Sequence, residues 1–275
     1  MTVQSNARST VMIESPVVGR FIPVTDGQLY AHVRAGRGPA LVFLHYWGGS
    51  RRTWLPVLRR LAPGHSFVAY DQRGWGDSVD VPGPYDLAQL ADDAQRVVQE
   101  LGFAGHILVG HSMGGKVAQL LAARRPAGLM GVVLVASAPP SPTADTLRLQ
   151  ELTAHAYDSR ESVEQGIDHM LVHNGLTDEL RRQVIEDSLR ARPPARDAWP
   201  AHGLAATIDV AAIDVPALVL AGEHDRVDPP AALGEHLLPR IPTASMSVLE
   251  DTGHLSPLEA PDQIAHHITT FVEKR

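Results

Sequence analysis

The 275-residue chain contains no cysteine. That excludes disulfide frameworks, thiolate zinc centres and cysteine nucleophiles together, and leaves the redox compartment unmarked. Basic charge is also short: 24 Lys and Arg stand against 31 Asp and Glu, for a formal net charge of −7, and no basic run stands out. Without that electrostatic footprint no nucleic-acid partner is expected. No stretch reaches the roughly 18 apolar residues of a membrane span, and the opening MTVQSNARSTVMIESPVVGR lacks the apolar centre of a secretion signal. A soluble, cytoplasmic protein with no membrane partner is expected, its first residues, to about 17, forming a loose polar tail. Internal repeats and low-complexity tracts are missing as well.

Hydrophobic residues make up 44% of the chain, enough for one large α/β domain carrying an insertion. VVGRFIPV and QLYAHVRA flank the turn signal Thr25-Asp26-Gly27 and read as an antiparallel hairpin. ALVFLH, SFVAYD, HILVG, GVVLVAS and PALVLAG are continuous apolar runs without polar alternation, as in strands buried on both faces. Helical stretches separate them, at about Arg52 to Leu61, Asp86 to Leu101, Met113 to Arg125 and Pro229 to Leu238. A last strand, SMSVLE, and a closing helix from Pro257 to about Glu273 follow. This alternation predicts a mostly parallel sheet covered on both sides. From 141 to 207 no strand is legible and short helical stretches are broken by Pro and Gly, so a helical cap is expected there, between core segments 1–140 and 208–275.

One serine stands out. HILVG is a strand, MGGKVAQLLAARR a helix, and Gly110-His111-Ser112-Met113-Gly114 the turn between them, a G-x-S-x-G elbow. So tight a turn demands small residues two before and two after the serine. It lifts the hydroxyl above the sheet and leaves the Met113 amide, in the first helical turn, facing any oxyanion formed there. A serine hydroxyl needs a histidine base, which needs a carboxylate to fix its tautomer. The loop after PALVLAG offers Glu223, Asp225 and Asp228. Asp228 precedes Pro229-Pro230 at a helix start and reads as an N-cap; Asp225, mid-loop past the strand's carboxyl end, is preferred as the acid, with Glu223 in reserve. Among 14 histidines, His254 alone follows the last strand and precedes the last helix, and is taken as the base. His169 and His173 lie i, i+4 on a cap helix, but no third ligand is apparent, and no metal site is expected.

Together with DQRGWGDS at Asp71 to Ser78 and the terminal GHLSPLEAPDQIAHHITTFV, these motifs resemble the α/β-hydrolase superfamily, particularly capped bacterial esterase and haloperoxidase types, from about residue 18 onward. The resemblance implies a mostly parallel, eight-stranded sheet flanked by helices, with the cap inserted after strand 6. It also implies Ser112, Asp225 and His254 as catalytic residues and no cofactor. The family's H-G-x-G oxyanion loop appears as His45-Tyr46-Trp47-Gly48, so the Trp47 amide would pair with that of Met113. Tyr46 stands where glycine is usual, which means either that the loop is placed differently or that its conformation tolerates a side chain. Tyr46 and Trp47 either line an acyl pocket or pack under the cap. His111, Met170, Leu171, Trp199 and His202 are further expected pocket residues.

Serine at the elbow disfavours the epoxide hydrolase and dehalogenase chemistries, which the family performs with aspartate. Hydrolysis of a small-molecule ester or lactone through an acyl-enzyme fits best. Cofactor-free perhydrolysis, carbon–carbon bond hydrolysis, hydroxynitrile lysis and a receptor role are the alternatives.

Overall fold

The computed structural model describes residues 15–275; the expected N-terminal tail lies almost wholly outside them. In chain order the strands are β1 (Val18–Val24), β2 (Gly27–Arg34), β3 (Arg37–Leu44), β4 (His65–Tyr70), β5 (His106–His111), β6 (Leu129–Val135), β7 (Ala217–Gly222) and β8 (Ala244–Leu249). They form one eight-stranded sheet in the order β1-β2-β4-β3-β5-β6-β7-β8. β1 and β2 pair antiparallel and β2 joins β4 antiparallel, whereas the pairs from β3–β4 through β7–β8 are parallel.

Successive residues of the central strands enter opposite cores, as the two-residue period of a strand requires. Leu41, Phe43, Ile107, Val109, Val133 and Val135 face one cluster with Trp54 and Phe271, while Val42, Leu44, Leu108, Val132 and Leu134 face another with Val97, Val117 and Leu121. Being buried on both sides explains why these strands read as unbroken apolar runs.

The helices are α1 (Leu55–Leu58), α2 (Leu87–Glu100), α3 (Met113–Ala123), α4 (Thr146–Thr153), α5 (Arg160–Gly166), α6 (Asp178–Arg190), α7 (Pro193–Ala198), α8 (Pro230–His236), α9 (Ser256–Glu259) and α10 (Pro261–Glu273). α2 starts where Asp86 accepts from the Gln89 N–H at 2.9 Å, an N-cap contact. Two expectations are corrected. The helix from Arg52 to Leu61 is a 3-10 turn, Arg51–Trp54, followed by the single turn α1, and the closing helix is split in two at Ala260. Pro56 and Pro261 enter at helix starts, where a missing N–H is harmless but a continuing helix is not.

Between β6 and β7 the chain leaves the sheet and contains helices and no strand. Two π-helical turns, Ile167–Leu171 and Trp199–Gly203, interrupt this excursion.

Candidate active site

β5 ends at His111 and α3 begins at Met113, so Ser112 alone makes the turn. Its backbone lies at φ 52°, ψ −115°, in a region that non-glycine residues enter only under constraint. The flanking glycines supply the room. A Cβ on Gly110 would sit 2.3 Å from the Gly114 carbonyl oxygen, and one on Gly114 would sit 2.5 Å from the carbonyl oxygens of Leu44 and His45. The second small position is therefore demanded by the end of β3 pressing on the elbow. The Ser112 N–H donates to the Val135 carbonyl at 3.0 Å, and the Ser112 carbonyl accepts from the Lys116 N–H at 3.1 Å.

His254, in the loop between β8 and α9, reaches Ser112 Oγ through Nε2 at 2.9 Å and Asp225 Oδ2 through Nδ1 at 2.9 Å. With Nδ1 protonated it donates to Asp225, and Nε2 accepts from the serine hydroxyl. The other oxygen of Asp225 accepts from the N–H groups of Val227 at 2.8 Å and Asp228 at 3.0 Å, which orients the carboxylate. Burial alone would push the His254 imidazole down. The charge and hydrogen bond of Asp225, with Asp228 behind them, outweigh it and hold His254 above its ordinary 6.5. Glu223, the reserve acid, is exposed and accepts from the Asp251 N–H at 3.0 Å.

Asp228 is not the N-cap the sequence suggested. Pro229 occupies that position in α8, and Asp228 is buried close enough to His254 and Lys116 to feel both charges. His111 also departs from expectation. It lies beneath the site, donating from Nε2 to the His254 carbonyl at 2.8 Å, and burial drives its imidazole well down; it holds the histidine loop instead of lining a pocket.

The loop after β3 tolerates Tyr46 because the positive φ falls elsewhere, at Gly48 (φ 92°). His45 organises it: Nδ1 donates to the Tyr46 carbonyl at 2.8 Å, and Nε2 accepts from the Gln72 N–H at 3.0 Å. This fixes a neutral tautomer, and burial pushes the imidazole down to about 4. The backbone N–H groups of Trp47 and Met113 donate to no acceptor among the described residues.

The pattern described as the alpha/beta hydrolase family matches residues 41–267. The chain belongs to that family. It is 27% identical over 276 residues to a non-heme haloperoxidase from Rhodococcus erythropolis, covering 92% of this chain and 99% of that protein. It is 30% identical over 244 residues to a pimeloyl-[acyl-carrier protein] methyl ester esterase from Neisseria meningitidis serogroup B, covering 84% and 91%. Its fold matches an esterase structure from Exiguobacterium antarcticum with a TM-score of 0.83 at 22% identity, over 93% of this chain and all of that one.

In this hydrolase-family chain Ser112 and His254 open on a cavity of about 490 Å³. Tyr46, Trp47, Met170, Leu171 and Trp199 line it, and the last three sit on the two π-helical turns. His202 is exposed and does not contribute. Sequence reasoning missed Lys116, Asp228 and Tyr157, which also face the cavity. Lysine in GHSMGGK, on the buried side of α3 one turn after the serine, was the available signal. His169 and His173 do not share a helix, because the π-helical turn ends at Leu171 and the His173 N–H donates to Glu259 at 2.7 Å. His173 stacks on His224 at 3.7 Å, with Asp251 near, on the exposed surface.

The DQRGWGDS loop is structural. Asp71 accepts from the N–H of Arg51 at 2.6 Å and of Asp77 at 2.8 Å, and Arg73 makes a buried two-point pair with Asp93 at 2.7 and 2.8 Å. Ser78 Oγ accepts from the Tyr30 N–H at 2.9 Å.

Proposed function

We propose that this enzyme hydrolyses a carboxylic ester or lactone of a small molecule through an acyl-enzyme on Ser112. The observation that carries the reading is the unbroken hydrogen-bond chain from Asp225 through His254 to Ser112, buried at its base and open to a large, mainly apolar cavity. Ser112 Oγ attacks the carbonyl carbon while His254 takes its proton; Asp225 stabilises the imidazolium. The oxyanion is received by the N–H groups of Trp47 and Met113, which donate to no acceptor among the described residues. Collapse expels the alcohol, protonated by His254. Water, deprotonated by the same imidazole, then attacks the acyl carbon, and the acid leaves with Ser112 restored.

In this reading residues 141–207 act as a cap that sets substrate size, the partner is a small molecule, and the protein works in the cytoplasm without a cofactor. The likeness to a haloperoxidase supports one second reading: hydrogen peroxide in place of water at the deacylation step would release a peracid.

Sustained turnover of short acyl esters, with mass-spectrometric detection of a sulfonyl fluoride adduct on the peptide containing Ser112, tests the proposal. A single slow covalent event without turnover would indicate a receptor. Adduct formation on another serine would refute the assignment of the nucleophile.

A further inference from the structure

Lys116 stands in the first turn of α3, just after the Ser112 elbow, and lines the same cavity as Ser112. It is 1% exposed, an unusual place for an amine. Its Nζ donates to the Leu204 carbonyl at 3.1 Å and lies 6.0 Å from the Trp199 ring centroid. An ammonium has three donors, and the carbonyl uses one. Facing the same cavity is Asp228, 5% exposed. Its carboxylate accepts no hydrogen bond among the described residues; only its backbone N–H is engaged, on Asp225. Nor do the two groups form a direct ion pair. Both line the cavity on which Ser112 and His254 open, and burial there lowers Lys116 to about 8 and raises Asp228 to about 7.

An amine with spare donors and a carboxylate that accepts from no protein donor, both lining the cavity, are matched best by an occupant that completes them. An alkyl chain would leave both unmatched. A carboxylate would suit Lys116 but set a like charge against the carboxylate of Asp228. A hydroxyl fits: its oxygen accepts from an ammonium, its hydrogen is donated to a carboxylate, and it adds no charge.

We infer that Lys116 and Asp228 form a hydroxyl-recognising subsite, so that the preferred substrate is an ester or lactone bearing a free alcohol group. The inference rests on the ester-hydrolase reading of Ser112. The hydroxyl belongs either to the acyl part or to the alcohol part of the substrate, and matched pairs separate these sources.

The experiment compares kcat/KM for methyl hexanoate with its β-hydroxy and terminal-hydroxy derivatives, and for propyl butanoate with its terminal-hydroxy derivative. In the wild type the hydroxylated member of one series should be favoured by about 10-fold or more, because a site that hydrogen-bonds a hydroxyl rejects the analogue lacking it. Lys116→Met and Asp228→Leu should each bring that ratio to about one. A lysine that only tethers the cap through Leu204 would alter stability and overall rate but leave the ratio alone. The isosteric ketones, with CH2 in place of the ester oxygen and the same hydroxyl groups, titrated calorimetrically with wild type and variants, read the same preference without turnover. Absence of turnover with every ester would therefore count against hydrolysis while the ketone ratios still decide the subsite. Ratios near one in both wild-type series, an undiminished ratio in either variant, or preference for a carboxylate-terminated analogue would overturn the inference.

Discussion

The Tyr157 hydroxyl donates to the Trp47 carbonyl at 2.7 Å, and the two rings stack with centroids 4.0 Å apart. The helical excursion is thereby fastened to the loop that offers the Trp47 N–H. Ser188 adds a hydrogen bond to the Gly48 carbonyl at 3.0 Å, and the Trp47 indole donates to the Arg196 carbonyl at 2.9 Å. These contacts join residues 157, 188 and 196 to the 46–48 loop, so loss of one should be felt in catalysis as well as stability.

Tyr157→Phe tests this directly. The stacking surface is kept and one buried hydrogen bond is lost, with a destabilisation of about 1 kcal/mol. Under the proposed mechanism kcat should fall about 10-fold through misplacement of an oxyanion donor, with KM changed less. Steady-state kinetics beside denaturant unfolding checks it; an unchanged kcat with reduced stability would show that the contact only supports the fold.

Ser112→Ala should remove ester turnover by several orders of magnitude and leave the protein folded. Relief of the positive φ is not expected, because alanine is no freer than serine there. Near wild-type hydrolysis by the purified variant would end the serine mechanism.

The carboxylates of the loop after β7 separate by substitution. Asp225→Asn keeps shape but favours the wrong histidine tautomer and cannot balance an imidazolium, so kcat should drop by a factor on the order of 10⁴. Glu223→Gln, on an exposed side chain engaged only near the surface, should stay close to wild type. The reverse ranking, measured on one ester, would move the acid to Glu223.

The pH profile carries its own sign. Under the proposed mechanism hydrolysis needs neutral His254, and Asp225 holds the imidazole above 6.5 despite burial. Activity should therefore fall as pH drops through a value higher than that of an ordinary histidine. Residual activity of Asp225→Asn should show this acid limb shifted to lower pH, since the favourable charge is gone. An acid limb in the wild type well below 6.5 would contradict the arrangement.

Stability depends on the buried Arg73–Asp93 pair, whose side chains are 1% and 3% exposed. Asp93→Ala leaves a guanidinium unpaired in the core, and unfolding free energy should decrease by about 3–5 kcal/mol. Chemical denaturation would show it, and a loss below about 1 kcal/mol would mean that the carbonyls of Thr25 and Pro82, which Arg73 also contacts, suffice alone.

Much of this protein was legible in one dimension because the responsible physics is local. Strands buried on both faces must be apolar throughout, so the runs around Leu41, Ile107 and Val132 announced a parallel sheet. A strand-to-helix turn one residue long leaves room only for glycine at 110 and 114, so the elbow announced Ser112. Chain order and loop position picked His254 and Asp225, and the fold brings both to Ser112. The sequence could not assign Asp228, because a carboxylate before two prolines looks like a helix cap until the chain folds and buries it in the wall of the cavity that His254 and Lys116 also line. Nor could it place His111 under the histidine loop, or send Tyr157 to a carbonyl 110 residues away. Local steric rules decide which residues bend, extend or coil. Which buried charges face one another is decided only when segments distant in the chain share one low-dielectric space, where their desolvation and their mutual attraction are set together.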